Sequence, residues 1–146
     1  LALSRPRSTS IESEVATAAQ TIPNTPFHLL GGHAVMQAIC DRFYELMDSD
    51  PAYAELRAMH APDLTRMKSA LAQFLAGWAG GPRDWFEANP GRCMMSVHKP
   101  YAISHQVAGQ WAEAMKRAIE DTAPQNVALG KQMGEILGQM AEGMGR

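Results

Sequence analysis

The stretch RCMMSVHKPYAISHQ, residues 92–106, sets an imidazole among soft apolar side chains. His98 follows Met94, Met95 and Val97 and precedes Lys99-Pro100. No carboxylate stands within four residues of it, and the stretch has neither Cys-x-x-Cys nor His-x-x-x-His spacing. The neighbours therefore supply no acid–base partner and no zinc-type ligand set. Two readings follow from these residues alone. His98 is an ordinary, partly buried histidine, or it holds something that the chain does not itself supply.

The elements that must position this residue read as helices. Met36, Ile39, Cys40, Phe43 and Met47 recur at three- and four-residue steps and share one helix face. DSDPAY at 48–53 closes that helix and turns the chain. A second helix is expected from about Asp63 to Ala79, with Leu64, Met67, Leu71, Phe74, Leu75 and Trp78 inward, and GGP at 80–82 stops it. A loop through Trp85 and Asn89-Pro90-Gly91 leads to a short helix carrying Met94 to His98, which Pro100 ends. A third long helix spans roughly 104–121, with Val107, Trp111, Met115 or Ala114, and Ala118 inward. The fourth covers about 126–144 on Leu129, Met133, Ile136, Leu137, Met140 and Met144. No alternating run of β-branched residues and no hairpin dipeptide between such runs occurs. The expected fold class is all-α.

The chain has 146 residues, 46% of them hydrophobic, which suits one domain around one core. A formal net charge of −2 gives no electrostatic reason to expect nucleic acid or an anionic membrane as partner. No apolar run approaches the roughly 20 residues that cross a bilayer. The segment LALSRPRSTS lacks the apolar centre of a secretory signal, which points to the cytoplasm. Residues 1–24 are polar and Ser/Thr-rich and form an N-terminal extension, in which Ser10 is placed to cap a short helix; residues 25–146 form the domain. Cys40 and Cys93 lack metal-type spacing and are expected to be reduced and buried. Ten methionines suggest a deformable interior, or one wrapped around a large flat apolar object.

Five features, in order, resemble the truncated haemoglobins, small globins built as a two-over-two helical sandwich. TPFHLLGGH (25–33) is similar to the family's opening with its first Gly-Gly pair, and DRFYELMDSDP (41–51) resembles its second helix. FLAGWAGGP (74–82) resembles the end of the distal helix with the second Gly-Gly. HKPYAIS (98–104) looks like the proximal histidine followed by Pro-aromatic-x-Ile, and Trp111, thirteen residues beyond His98, matches a tryptophan that marks group II. The resemblance covers about 25–140.

That resemblance implies a haem b cofactor whose iron is ligated by His98, with the other ring nitrogen held by a carbonyl or similar acceptor. It sets Met94, Met95, Tyr101 and Ile103 against the porphyrin, along with Phe43, Met67, Leu71 and Phe74. Group II members often carry arginines just before the proximal histidine. Here those places read Cys93, Met95 and Val97, which leaves Arg92 or Lys99, with solvent, to meet the haem propionates. Over the iron it places Tyr44, Trp111 and His60, where a phenol can donate a hydrogen bond and an indole N–H can only donate. Met67 takes the place of the distal histidine of familiar globins and is read as packing rather than as a sixth ligand. His28, His33 and His105 are read as surface or packing residues, and Trp78 and Trp85 as structural. Without the family pattern, a buried Tyr or Trp reads as core with its polar tip satisfied.

The implied function is binding of dioxygen and other small ligands (nitric oxide, carbon monoxide, cyanide or sulfide) at ferrous iron. Donors crowded over bound dioxygen oppose rapid release, which favours nitric oxide dioxygenation or peroxidase-like detoxification over bulk oxygen storage. No reductase domain is evident, so turnover would draw on an external electron donor, and the chain would act as a monomer or homodimer. Two other classes stay open: a gas sensor signalling through residues 1–24, and a haem-free helical interaction domain.

Overall fold

A computed structural model describes residues 24–122 and 124–146. Every regular element among them is helical. In chain order these are α1 (Pro26–Leu30), α2 (His33–Ser49), a 3-10 turn (Pro51–Tyr53) running into α3 (Ala54–Ala58), α4 (Thr65–Trp78), α5 (Asp84–Ala88), α6 (Met94–His98), α7 (His105–Thr122) and α8 (Val127–Glu142). The helix expected from Ser10 lies outside the described residues.

The four long helices match the expected ones closely, and local chemistry fixes their ends. Asn126 accepts from Leu129 N–H at the start of α8, and Ser104 Oγ accepts from Val107 N–H at the start of α7. Asp63 Oδ1 accepts from both the N–H and the hydroxyl of Thr65 at the start of α4. Between α1 and α2 the chain turns at Gly31 (φ 128°) and Gly32 (φ 79°), a region that glycine enters without steric cost. The short helices α1, α3 and α5 were not expected. A five-residue helix is too short to display a period.

α2 crosses both α4 and α7, and α7 packs along α8, which gives the two-over-two arrangement. All five apolar positions anticipated on α2 are buried, together with Tyr44 and Leu46. The start of α1 meets the second Gly-Gly corner. Phe27 N–H donates to the carbonyl of Ala79 at 2.9 Å, and the Phe27 ring lies against Gly81. At the far end of α2, fully buried Tyr53 donates to Glu113 (2.8 Å) and accepts from Arg117 (3.0 Å), which also pairs with Asp50 (2.7 Å).

Three readings of the sequence need correction. Ile136 is 41% exposed, because α8 meets α7 through Gly130, Gly134 and Gly138. These bring the backbone of α8 close to Ala112, Lys116 and Ile119 and turn Ile136 outward. Met67 is 41% exposed rather than inward, because it sits in the first turn of α4, at the edge of a cavity. Cys93 is exposed, since it caps α6 at the surface; Cys40 is buried, and both thiols are free.

Candidate functional site

α6 is short because little holds it beyond its caps. Cys93 N–H donates to Ser96 Oγ at 2.9 Å, and the Cys93 side chain accepts in return from the Ser96 backbone. His98 closes this helix. Its Nδ1 lies 2.7 Å from the carbonyl of Met94, and since a carbonyl can only accept, Nδ1 carries the proton. The lone pair of the neutral ring therefore resides on Nε2.

His98 stands on the wall of a cavity of about 570 Å³, within the range of ligand and cofactor sites. The wall is mostly apolar and takes in every long helix. Of the residues anticipated from the sequence, Tyr44, His60, Met67, Leu71, Phe74, Arg92, Met94, Tyr101, Ile103 and Trp111 all line it with His98. Phe43, Met95 and Lys99 do not. Phe43 is fully buried one layer behind, edge-on to both Tyr44 and Trp111. Met95 is 57% exposed on the outer side of α6, and Lys99 is exposed just beyond it.

Trp85 joins the wall although it was read as structural; it stacks edge-on with Phe74, ring centroids 5.2 Å apart. Asn89 and Met59 also line it, as do Leu137 and Met140 of α8 and Met144 just beyond its end. The apolar period of α8 had marked the last three as inward. Nothing in the local sequence marks Met59 or Asn89, which reach the wall from connecting segments.

Two donors on the wall are unspent. The Tyr44 side chain is 2% exposed, yet its hydroxyl meets no hydrogen-bond partner among the described residues, and neither does the Trp111 indole N–H. Native interiors seldom leave a buried hydroxyl such as that of Tyr44 unpaired, while Trp111 is half-buried. Burial also pushes the Tyr44 phenol well above its usual titration range, so it remains a neutral donor.

His60 differs from both. Its Nδ1 is 2.8 Å from the carbonyl of Leu56, so the proton again sits on Nδ1 and the neutral ring has no N–H left to donate through Nε2. Burial lowers its pKa below the usual imidazole value, with Arg57 and His98 acting in the same direction against the Leu56 carbonyl. Through Nε2 the neutral His60 ring accepts a hydrogen bond, whereas Tyr44 and Trp111 carry donors.

The fold that encloses this cavity is shared with proteins already known. The family model described as bacterial-like globin matches residues 25–144. The chain belongs to that family. It is 29% identical over 136 residues to the group 1 truncated hemoglobin LI410 of Chlamydomonas moewusii, covering 91% of this chain and 73% of that protein. Among solved structures, the cold-adapted truncated hemoglobin of Pseudoalteromonas haloplanktis TAC125 superposes with a TM-score of 0.79 at 30% identity, over 84% of this chain and 98% of the other. The group II 2-on-2 hemoglobin of Agrobacterium tumefaciens does so with 0.78 at 29% identity, over 84% and 94%. This truncated globin is thus a haem-binding protein for small gaseous ligands, and its group II likeness extends from Trp111 to the whole fold. No helix among the described residues is long and apolar enough to cross a membrane.

The wall suits that cofactor. A flat porphyrin needs apolar faces, one neutral nitrogen whose partner proton is held, and a cation near its edge for carboxylates. On this wall Leu71, Phe74 and Ile103 are of a kind to serve as the first, His98 as the second and Arg92 as the third.

Proposed function

We propose that this globin holds haem b through His98 and uses it for detoxification chemistry on nitric oxide rather than for oxygen storage. When bound, the haem would supply a gas-binding centre and one electron, so that nitric oxide plus dioxygen plus that electron would give nitrate. The b type is supported by the lack of any Cys-x-x-Cys-His attachment sequence. The chain's own residues do the rest. His98 donates the Nε2 lone pair while the Met94 carbonyl fixes its ring. Tyr44 O–H and Trp111 N–H would donate to a gas in the cavity that carries partial negative charge and would slow its release. Arg92 meets a carboxylate at the cofactor's edge. Met67 and Leu71, which cannot donate, control entry by size and flexibility.

The observation that carries this reading is the pair of unspent donors in an apolar wall that also holds an oriented imidazole. Such donors slow dissociation, which disfavours storage and prolongs contact with a second reactant. An external one-electron donor returns the protein to its starting state. The sensor alternative rests on residues 1–24, nearly all outside the described part, and no observation favours it.

Rapid mixing of the oxygenated ferrous protein with nitric oxide tests the proposal. Prompt formation of ferric protein and stoichiometric nitrate is the expected result. Simple replacement of dioxygen by nitric oxide, without nitrate, would reject it. His98→Gly should alter the Soret absorption and gas uptake of the reconstituted protein, and added imidazole should restore both.

A further inference from the structure

The helix that carries His98 is loosely moored. α6 packs extensively on no other helix, although Met94, Val97 and Ile103 lean on the core with part of their surface. Hydrogen bonds made within residues 90–104 are local in sequence. Val97 N–H donates to the Cys93 carbonyl and Tyr101 N–H to the His98 carbonyl, both at 3.0 Å. Among the described residues, the hydrogen bonds that reach this segment from a distant part of the chain both come from Arg146. Its N–H donates to the Ile103 carbonyl at 2.9 Å, and its guanidinium to the Lys99 carbonyl at 3.4 Å.

The end of α8 delivers Arg146 to that place. Gly143, Met144 and Gly145 turn the chain through N–H bonds to the carbonyls of Gln139, Ala141 and Glu142, at 3.0–3.1 Å. Met144 reaches the cavity wall. Gly145 lies against the start of α7, where a Cβ would stand 2.9 Å from His105 Nδ1 and 3.0 Å from His105 Cα. Glycine permits so close an approach to another stretch of backbone.

We propose that Gly145 and Arg146 form a strap that positions His98. By holding the carbonyls of Ile103 and Lys99, the strap fixes the segment that follows the ring and so the aim of the free Nε2 lone pair. The bond from Nδ1 to the Met94 carbonyl orients the ring within α6 but cannot fix α6 against the molecule. The strap supplies that second restraint. Arg146 is absent from the cavity wall, so it acts through residues 99–103 and not on the cofactor itself. The proposal rests on the reading of His98 as the haem ligand.

The experiment loads wild type, Arg146→Pro, Gly145→Ala and Arg146→Ala with haem. It follows the iron–histidine stretching band of the ferrous protein by resonance Raman, haem transfer to excess apomyoglobin, and the thermal midpoint. Arg146→Pro deletes the N–H donor, and Gly145→Ala drives a methyl group against His105. Both should shift or broaden the band and lose haem roughly threefold to tenfold faster, the effect of one hydrogen bond. Arg146→Ala keeps the N–H and should stay within about twofold of wild type. An unmoved band in both Arg146→Pro and Gly145→Ala overturns the strap, even where both melt earlier, because a merely structural contact would lower the midpoint alone. Should Arg146→Pro fail to fold, Gly145→Ala decides by the same band. A wild type that binds haem without an iron–histidine band overturns the reading of His98 and the strap together, whereas an unmoved band overturns the strap alone.

Discussion

Phe43 stands edge-on to Trp111, with ring centroids 5.2 Å apart and planes at 61°. On its other side it meets Tyr44 at 4.9 Å. It is fully buried and reaches neither solvent nor the cavity, so it supports the two donors from behind.

Removing either donor should weaken ligand retention without disturbing this support. Tyr44→Phe and Trp111→Phe each delete one hydrogen bond to a partly charged ligand, worth about 1–2 kcal/mol. Each should raise the dioxygen dissociation rate roughly 5–30-fold in stopped-flow displacement, with the thermal midpoint changed by only a few degrees. Unchanged rates in both variants would contradict the assigned roles.

The two thiols should separate cleanly in reactivity. Burial pushes the Cys40 thiol up to about 12, with Asp41 adding to the shift. Cys93 is exposed, and hydrogen bonds from Ser96 hold its thiol below the usual range. A thiolate-specific reagent at neutral pH should label one thiol promptly and the second only on unfolding. Cys93→Ser should erase the fast phase. Two thiols reacting at one rate would refute the assignment.

Acid should selectively weaken the α2–α7 tie. Arg117, and then the Ala52 N–H, lower the pKa of Asp50 below the usual aspartate range. A depressed carboxyl adds stability above its unfolded pKa and loses it as pH falls through the folded value. The stability gap between wild type and Asp50→Asn, followed by urea denaturation, should therefore be widest near neutrality and shrink below about pH 4. A gap constant with pH would count against the ion pair.

Glycine substitutions should show where helices touch. A Cβ at Gly81 would lie 2.6–2.8 Å from three ring atoms of Phe27, which locks α1 onto the end of α4. Gly81→Ala should cost about 1–3 kcal/mol, while the haem spectrum stays as in wild type. Gly109, within α7, has nothing within 4 Å of its Cβ position. Gly109→Ala should stabilise by about 0.5–1 kcal/mol through helix propensity. Equal melting shifts in the two variants would show that the contact at Phe27 is not tight.

By itself, the sequence determined the helical class, the four long helices and the short one ending at His98. Apolar periods, caps and Pro100 are local signals, and each is complete within a few residues. It marked His98, Tyr44, Trp111 and His60 only through the resemblance to the truncated haemoglobins, since their local surroundings alone fit core residues as well. Only the tertiary structure decided what lies on the cavity wall. A period shows which residues share a face but not which neighbour covers it, so Ile136 turned outward where three glycines take the contact, and Phe43 fell one layer behind the wall. The tautomer of His60 was likewise beyond sequence, because it depends on a ring nitrogen reaching one particular carbonyl. That distance exists only once α3 has formed and the following segment has folded back on it.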